Sequence, residues 1–358
     1  MKIQEKKTYI AGGVLAGLSF AGQAGARSLS GFGNWYAENI YPVLVSTVGR
    51  LSGLLPFSLS EIGIYILIVL WVGYGILHIK HPGKIISKTF LLITGIFFLY
   101  TFHCGINYYR IPFSQYIDLQ IRPSSKEELY ELCEELTDQV NQFKESAGVR
   151  LTEGEYAVLG REAMGNLGDQ YSALNGFYPR PKPVMISQIL SVQQLAGIYS
   201  PFTIEANYNK DMTPYNIPHT ICHELSHLRG FMREDEANFI GYLACIGSDI
   251  EIYQYSGYLS GWIYATNALA SVDIDGFREL YSRLNSKIVE DIYANNAFWE
   301  SYEGKIAEAA DKINDTYLKA NHQTDGVKSY GRVVDLMLAF RRSRLEEEGE
   351  LPQENKVS

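Results

Sequence analysis

Cysteine is scarce in this chain and its spacing carries no metal pattern. The four residues, Cys104, Cys133, Cys222 and Cys245, form no CxxC pair, so a thiolate-built metal site is not expected and buried free thiols are. Clustered positive charge is missing as well. The 31 Lys and Arg are outnumbered by 40 Asp and Glu, for a net charge of -9, and nucleic acid is excluded as a partner on that balance. Charge of either sign is thin over the first 110 residues, whereas nearly all the acid lies after residue 117. The mean hydropathy of -0.09 therefore averages two unlike parts, an apolar anchor and a polar domain.

Three stretches without formal charge are long enough to cross a bilayer: 8–26, 62–79 and 89–106. The small residues at 24–26 resemble a signal-peptide cleavage site, but the further apolar stretches favour an uncleaved first helix. Lys2, Lys6 and Lys7 precede the first stretch, and Lys80, Lys84 and Lys88 lie between the second and third. Positive residues stay on the cytoplasmic side, so three crossings send the domain at 110–345 outside, a multi-pass protein of the cell membrane. Between the first two stretches, Trp35, Tyr36, Tyr41 and the run Leu54-Leu55-Pro56-Phe57 read as a segment lying in the membrane interface.

The domain reads as mostly helical with a small sheet. Ser125 and Glu128 form a capping box for a helix through about residue 146, with Leu129, Leu132, Leu136 and Val140 as its buried stripe, and a second helix fits 153–171. The Pro-rich stretch 178–183 reads as a loop, and 184–186 and 197–208 as short strands. Later breaks are expected near Gly257, at 273–276 and near Gly326, and the stretch from Arg341 to Ser358, which includes the acidic tail at 346–358, reads as a frayed helix or disordered end.

The chemistry is concentrated in His223-Glu224-Leu225-Ser226-His227. On a helix, His223 and His227 lie one turn apart on one face and can share a metal ion, while Glu224 beside them can take a proton from water that the metal activates. His219, a further turn back, reads as a surface or capping histidine, because a catalytic metal keeps one position open. Gly230 is a natural helix stop. The chain can then turn back with Glu234 or Glu236; two residues apart on a helix, they point in nearly opposite directions, so one of them ligates. An amide-cleaving site also needs a donor for the developing oxyanion. Tyr317, His322 and Tyr330 lie in the polar and aromatic stretch 314–331, with Tyr330 on a Gly-flanked turn as first choice.

Glu234-Asp235-Glu236-Ala237-Asn238 resembles the E-x-x-A-D/N segment of gluzincins. The resemblance implies a Zn2+ ligand at Glu234, with Glu236 the alternative, a bracing role for Asn238 on a ligand histidine, and a small residue at Ala237 for close helix packing. Six residues separate His227 from Glu234, nearer to the metzincin spacing, and Arg233 stands where a metzincin has its third ligand. The whole layout, from the NWYxxxIYP and LPFS segments to IPHTxCHELSHLRGFxxEDEANF, resembles a bacterial family of membrane-anchored zincin-like proteins recorded as a domain of unknown function. It implies a zincin-like α+β metallopeptidase domain acting on a protein or peptide substrate at the lipid bilayer. The alternative is a catalytically silent zincin-like sensor or scaffold in the membrane.

Overall fold

The apolar stretches open the chain as helices in the computed structural model, which describes residues 3–321 and 332–349. They are α1 (Ile3–Ser28), then, after the short α2 (Phe32–Asn39), α3 (Leu59–Leu77) and α4 (Pro82–His103). Among the described residues two helices, α3 and α4, are long and apolar enough to cross a membrane, each with a mean hydropathy of 1.8. Glycines at 12, 13, 17, 22 and 25 dilute the hydropathy of α1. Instead α1 packs along α4 in parallel, Tyr9 meeting Phe90 and Phe20 meeting Phe97 at ring-centroid distances of 5.7 and 5.4 Å. Helix α3 starts three residues before the stretch read from the sequence because Ser58 caps it, accepting from the Glu61 amide at 3.1 Å.

The connection between α1 and α3 does more than lie in an interface. It continues past α2 as short helical turns from Tyr41 to Gly53, with Tyr36, Tyr41 and Val45 buried in the protein core and Trp35, Val43, Leu51 and Leu54 exposed. The segment after α4, expected as a linker or strand, is also core. Phe113, 1% exposed, packs its edge against Tyr171 and Phe231. The globular part is thus built from residues on both sides of α3 and α4.

Helices α5 (Lys126–Gln142) and α6 (Glu153–Gln170) follow, both opened by complete capping boxes. Leu132, Leu136 and Val140 are buried as the stripe requires, and Leu129 is half-buried. Three short strands make one mixed sheet: β1 (Lys182–Pro183), β2 (Gly197–Ser200) and β3 (Glu205–Tyr208). Their order is β1-β3-β2; β1 runs parallel to β3 and β2 antiparallel, with Ile198 opposite Asn207. The first strand thus falls inside the stretch read as a Pro-rich loop, and 184–186 is not a strand. The Met185 and Ile186 amides, which a ladder would have used, donate instead to the Glu61 carboxylate at 2.7 and 3.0 Å.

That contact is half of a reciprocal staple. Glu61 sits in the first turn of α3, while Glu205 of β3 accepts from the Leu59 and Ser60 amides of the same turn at 3.1 and 2.9 Å. A carboxylate at a helix N-terminus satisfies orphan amides and meets the positive end of the dipole. Glu205 is also ion-paired to Lys182, both side chains being fully buried, and Lys182 donates to the Ser52 carbonyl at 2.6 Å. The apolar helix is thereby fixed to the sheet at its first turn.

The rest is helical: α7 (Asn216–Leu228), α8 (Glu234–Ile246), α9 (Glu251–Val272), two shorter helices, α10 (Lys305–Ala320) and α11 (Arg332–Glu347). Helix α9 runs unbroken through Gly257; the break comes earlier, between α8 and α9. Helix α11 is held rather than frayed from Arg341 onward, since Arg341 pairs with Glu131 and Glu135, and the buried Arg342 with Glu128. Residues 350–358 of the acidic tail lie outside the described residues. All four cysteines are buried and free.

Candidate metal centre

Helix α7 is almost wholly buried, with Ile217, Ile221, Leu225 and Leu228 at most 1% exposed. These apolar positions recur at helical spacing and bury one face, which leaves His223 and His227 on the face toward a cavity. The helix ends as the glycine requires. Gly230 has φ +91°, its amide donates to the His227 carbonyl at 2.9 Å, and the Phe231 amide donates to the Ser226 carbonyl at 3.2 Å. This is the paired hydrogen-bond pattern of a Schellman turn.

The turn has a chemical consequence. It carries the Phe231 carbonyl back to within 2.8 Å of His227 Nδ1. On His223, Nδ1 lies 2.8 Å from Asn238 Oδ1, which also accepts from the Tyr264 hydroxyl at 3.1 Å. Both imidazoles thus donate through Nδ1 to an oxygen, and their Nε2 lone pairs are turned toward α8. There Glu234, first residue of α8, places its carboxylate 3.3 Å from His223 Nε2 and 3.5 Å from His227 Nε2.

One ligand atom from each of His223, His227 and Glu234 lies within 4.8 Å of the others. Two lone pairs aimed at a carboxylate repel it unless a proton or a cation sits between them. For tetrahedral zinc with bonds of ~2.0–2.1 Å, neighbouring ligand atoms are about 3.3–3.4 Å apart; each imidazole here faces a different carboxylate oxygen, Oε2 for His223 and Oε1 for His227, in a cluster small enough for one ion to draw together. The metal-free electrostatics record the same demand. Burial works against a charged His227, but the Glu234 carboxylate outweighs it and raises the pKa to about 9. Burial likewise opposes the charged form of Glu234, and the two imidazoles overcome it and hold the carboxyl well below its usual range.

Glu224 is 5% exposed, and its Oε2 has no hydrogen-bond partner among the described residues. Burial pushes its pKa up to about 7 against the opposing pull of His223, His227 and the Tyr199 amide. The edge strand β2 passes directly over it. A Cβ at Gly197 would come within 2.5 Å of Glu224 Oε1, so only glycine leaves the carboxylate room.

Glu236 is turned away from the cluster. Its carboxylate accepts from the Phe113 amide at 3.0 Å and lies 3.4 Å from Arg233, tying the segment after α4 to α8. The two-residue offset along α8 is the reason, since it rotates the side chain to the far side of the helix. His219 is neither exposed nor a cap. It is 6% exposed, its Nε2 lies 3.1 Å from the Asn238 carbonyl, and burial lowers its pKa to about 3, so it is a neutral wall of the cavity.

The cavity over the cluster has a volume of about 570 Å³. Its wall includes Ile198 of β2, Tyr264 of α9, Tyr100 and Cys104 at the end of α4, and Tyr317 of α10. Of the sequence-derived oxyanion donors, Tyr317 is there, its hydroxyl 3.2 Å from that of Tyr108; His322 and Tyr330 lie outside the described residues. Sequence reasoning missed Tyr264, about forty residues from the motif, and Gly197, for which a glycine inside a strand was the available signal.

Among proteins already described, no curated protein and no solved structure matches the chain. A family match does exist, and it runs over residues 36–338, from α2 through the metal cluster and into α11. On that span the chain belongs to the family described as "Protein of unknown function (DUF3810)".

Proposed function

We propose that this protein is a membrane-anchored, zinc-dependent metallopeptidase. The observation that carries the reading is the convergence of His223 Nε2, His227 Nε2 and the Glu234 carboxylate, with each imidazole fixed through Nδ1, beside a buried Glu224 that has a partnerless oxygen. A zinc ion held by the three would polarise the scissile carbonyl and acidify a water molecule. Glu224, with a pKa near neutrality, is suited to take the proton of the attacking water and return it to the leaving amine. Asn238 and the Phe231 carbonyl keep both imidazoles in the ligating tautomer. Among the described residues β2 is an edge strand, and apart from the Tyr199 amide that faces Glu224 its outer backbone groups would lie beside an extended peptide.

The anchor reading extends to three spans. Helices α1 and α4 run in parallel and α3 runs opposite, its first turn stapled to the sheet. Lys6 and Lys7 mark the start of α1, and Lys80 and Lys84 the start of α4, so both ends sit on the cytoplasmic side and the globular part outside. Partners on this reading are the lipid bilayer and a protein or peptide substrate.

The test uses the full chain in detergent, because residues before α3 build the core. Zinc content and cleavage of a casein-type substrate are measured on the wild type, His223→Ala and Glu224→Gln. About one zinc per chain in the wild type, lost in His223→Ala and kept without cleavage in Glu224→Gln, supports the peptidase. No zinc after metal is supplied sinks it; zinc without any turnover in the wild type favours the silent sensor or scaffold.

A further inference from the structure

Two arginines are buried past the C-terminus of α7 with no carboxylate in ion-pair contact among the described residues, although Arg110 lies near enough to the buried Glu236 to pull its pKa down against burial. Arg110 is 6% exposed and Arg229 8% exposed. Arg110 donates from Nη1 to the Arg229 carbonyl at 2.9 Å and from Nε to the Tyr116 hydroxyl at 3.3 Å, and stacks 3.7 Å from the centre of the Phe231 ring. Its second Nη reaches the Ala173 carbonyl only at 3.5 Å. Arg229 donates from Nη2 to the Asn175 carbonyl, and its buried Nε has no partner.

A guanidinium carries five N–H groups, and a buried cation is costly unless an anion or a full set of acceptors compensates it. Clamping carbonyls accounts for part of this arrangement, but not for a second guanidinium beside the first or for the unused donors. Both arginines line a cavity of about 360 Å³, together with Tyr116, Ser172, Asn175 and, at its rim, Glu38. The Glu38 carboxylate is held by Asn34 and Tyr116, each at 2.9 Å.

We propose that this cavity is a phosphate-binding site, which takes a phosphate monoester or diester group between Arg110 and Arg229. Guanidinium forks match phosphate oxygens in geometry and charge, and an oxyanion would fill the donors that the protein leaves unused. The rim bears on the source of the phosphate. The lining includes Ala37, Glu38 and Pro42 of the connection that follows α1, and the same connection carries Trp35 and Val43, 50% and 58% exposed. Exposed apolar and aromatic side chains on the same connection that lines a cavity with two cations suit a phospholipid headgroup; a soluble phosphate compound would use the same donors.

The test is calorimetric titration of the full chain, in neutral detergent, with inorganic phosphate, with dioctanoyl phosphatidylglycerol, and with dioctanoylglycerol, which lacks the phosphate. Saturable binding of inorganic phosphate identifies a soluble source, and binding of the phospholipid alone identifies a headgroup. Arg229→Gln is expected to weaken whichever binds by roughly tenfold or more, the equivalent of one charged hydrogen bond. Glu38→Gln, at an exposed rim position, removes a like charge and is expected to tighten binding about two- to fivefold at unchanged Tm. It decides the matter should Arg229→Gln fail to fold. The proposal is overturned if neither phosphate probe binds, if the diacylglycerol binds equally well, or if Glu38→Gln leaves the affinity unchanged.

Discussion

The Phe231 carbonyl oxygen lies 2.8 Å from His227 Nδ1, four residues back along the chain, and it is there because Gly230 adopts φ +91°. The helix stop and the hydrogen bond that orients the His227 ring are therefore one structural feature. The same economy marks Asn238, whose side chain orients His223 while its backbone carbonyl holds His219.

Replacing Gly230 with Ala should damage fold and site together. An L-residue in the left-handed region costs about 1–2 kcal/mol, and any shift of the Phe231 carbonyl frees the His227 ring. The expected outcome is a lowered Tm and weaker zinc retention against a chelator, measured on one preparation. A lowered Tm with unchanged zinc affinity would separate the two roles.

Asn238→Ala removes the acceptor on His223 Nδ1 without touching a ligand. Loss of such a brace typically costs 10–100-fold in metal affinity, and that range is expected here in a competition titration with a chromophoric chelator. Asn238→Asp, which keeps an acceptor oxygen, should restore most of the affinity.

Gly197→Ala should do the reverse, sparing the metal and disabling the base. The added methyl would lie 2.5 Å from Glu224 Oε1 and 2.8 Å from its Cγ, forcing the carboxylate aside. On the peptidase reading, kcat is expected to fall by roughly 10²-fold, the scale of a displaced proton-transfer group, with one zinc per chain retained. Unchanged turnover would remove Glu224 from the chemistry.

The metal-free protein should lose stability as pH rises. In the folded state His227 titrates at about 9 instead of 6.5, so its contribution is complete below about pH 6.5 and disappears as pH passes through about 9. Burial raises Glu224 and Glu236 from 4.5 to about 7, so the folded state keeps protons that the unfolded chain has released, and stability falls over that window too. Glu234, held low, acts oppositely only in strong acid. His219, lowered to about 3, opposes this trend below about pH 6.5, so thermal unfolding of chelator-treated protein should give a Tm that declines from about pH 6.5 to pH 9. Zinc-loaded protein should not follow it, because metal binding displaces the histidine proton and strengthens as pH rises.

Glu205→Gln should be far more harmful than an exposed substitution. It leaves Lys182 buried without a counter-charge and weakens the hold on the first turn of α3, a loss of about 3–5 kcal/mol for a broken buried pair. Exchanging Lys182 for Met together with Glu205 for Gln removes both charges and should recover much of the loss. If the single and double variants unfold alike, the contacts to α3 dominate over the ion pair.

Much of the site was legible in the sequence because its geometry is local. Helical spacing alone puts His223 and His227 on one face, Gly230 alone forces the turn, and the turn is short enough that the next acid, Glu234, returns to the same point. The helices opened by Ser125 and Thr152 were legible for the same reason, since a capping box closes within four residues. Tertiary packing decided what local rules left open. It turned Glu236 to the Phe113 amide, buried His219 against Asn238, brought Gly197 over Glu224 and Tyr264 onto Asn238, and drew residues 32–53 and 105–116 into the core. It also replaced the strand expected at 184–186 with a grip on Glu61. Periodicity and turn chemistry act over a few residues and can be read along the chain, whereas the partner of a buried carboxylate or amide is whichever distant group the fold delivers, and that is written only in three dimensions.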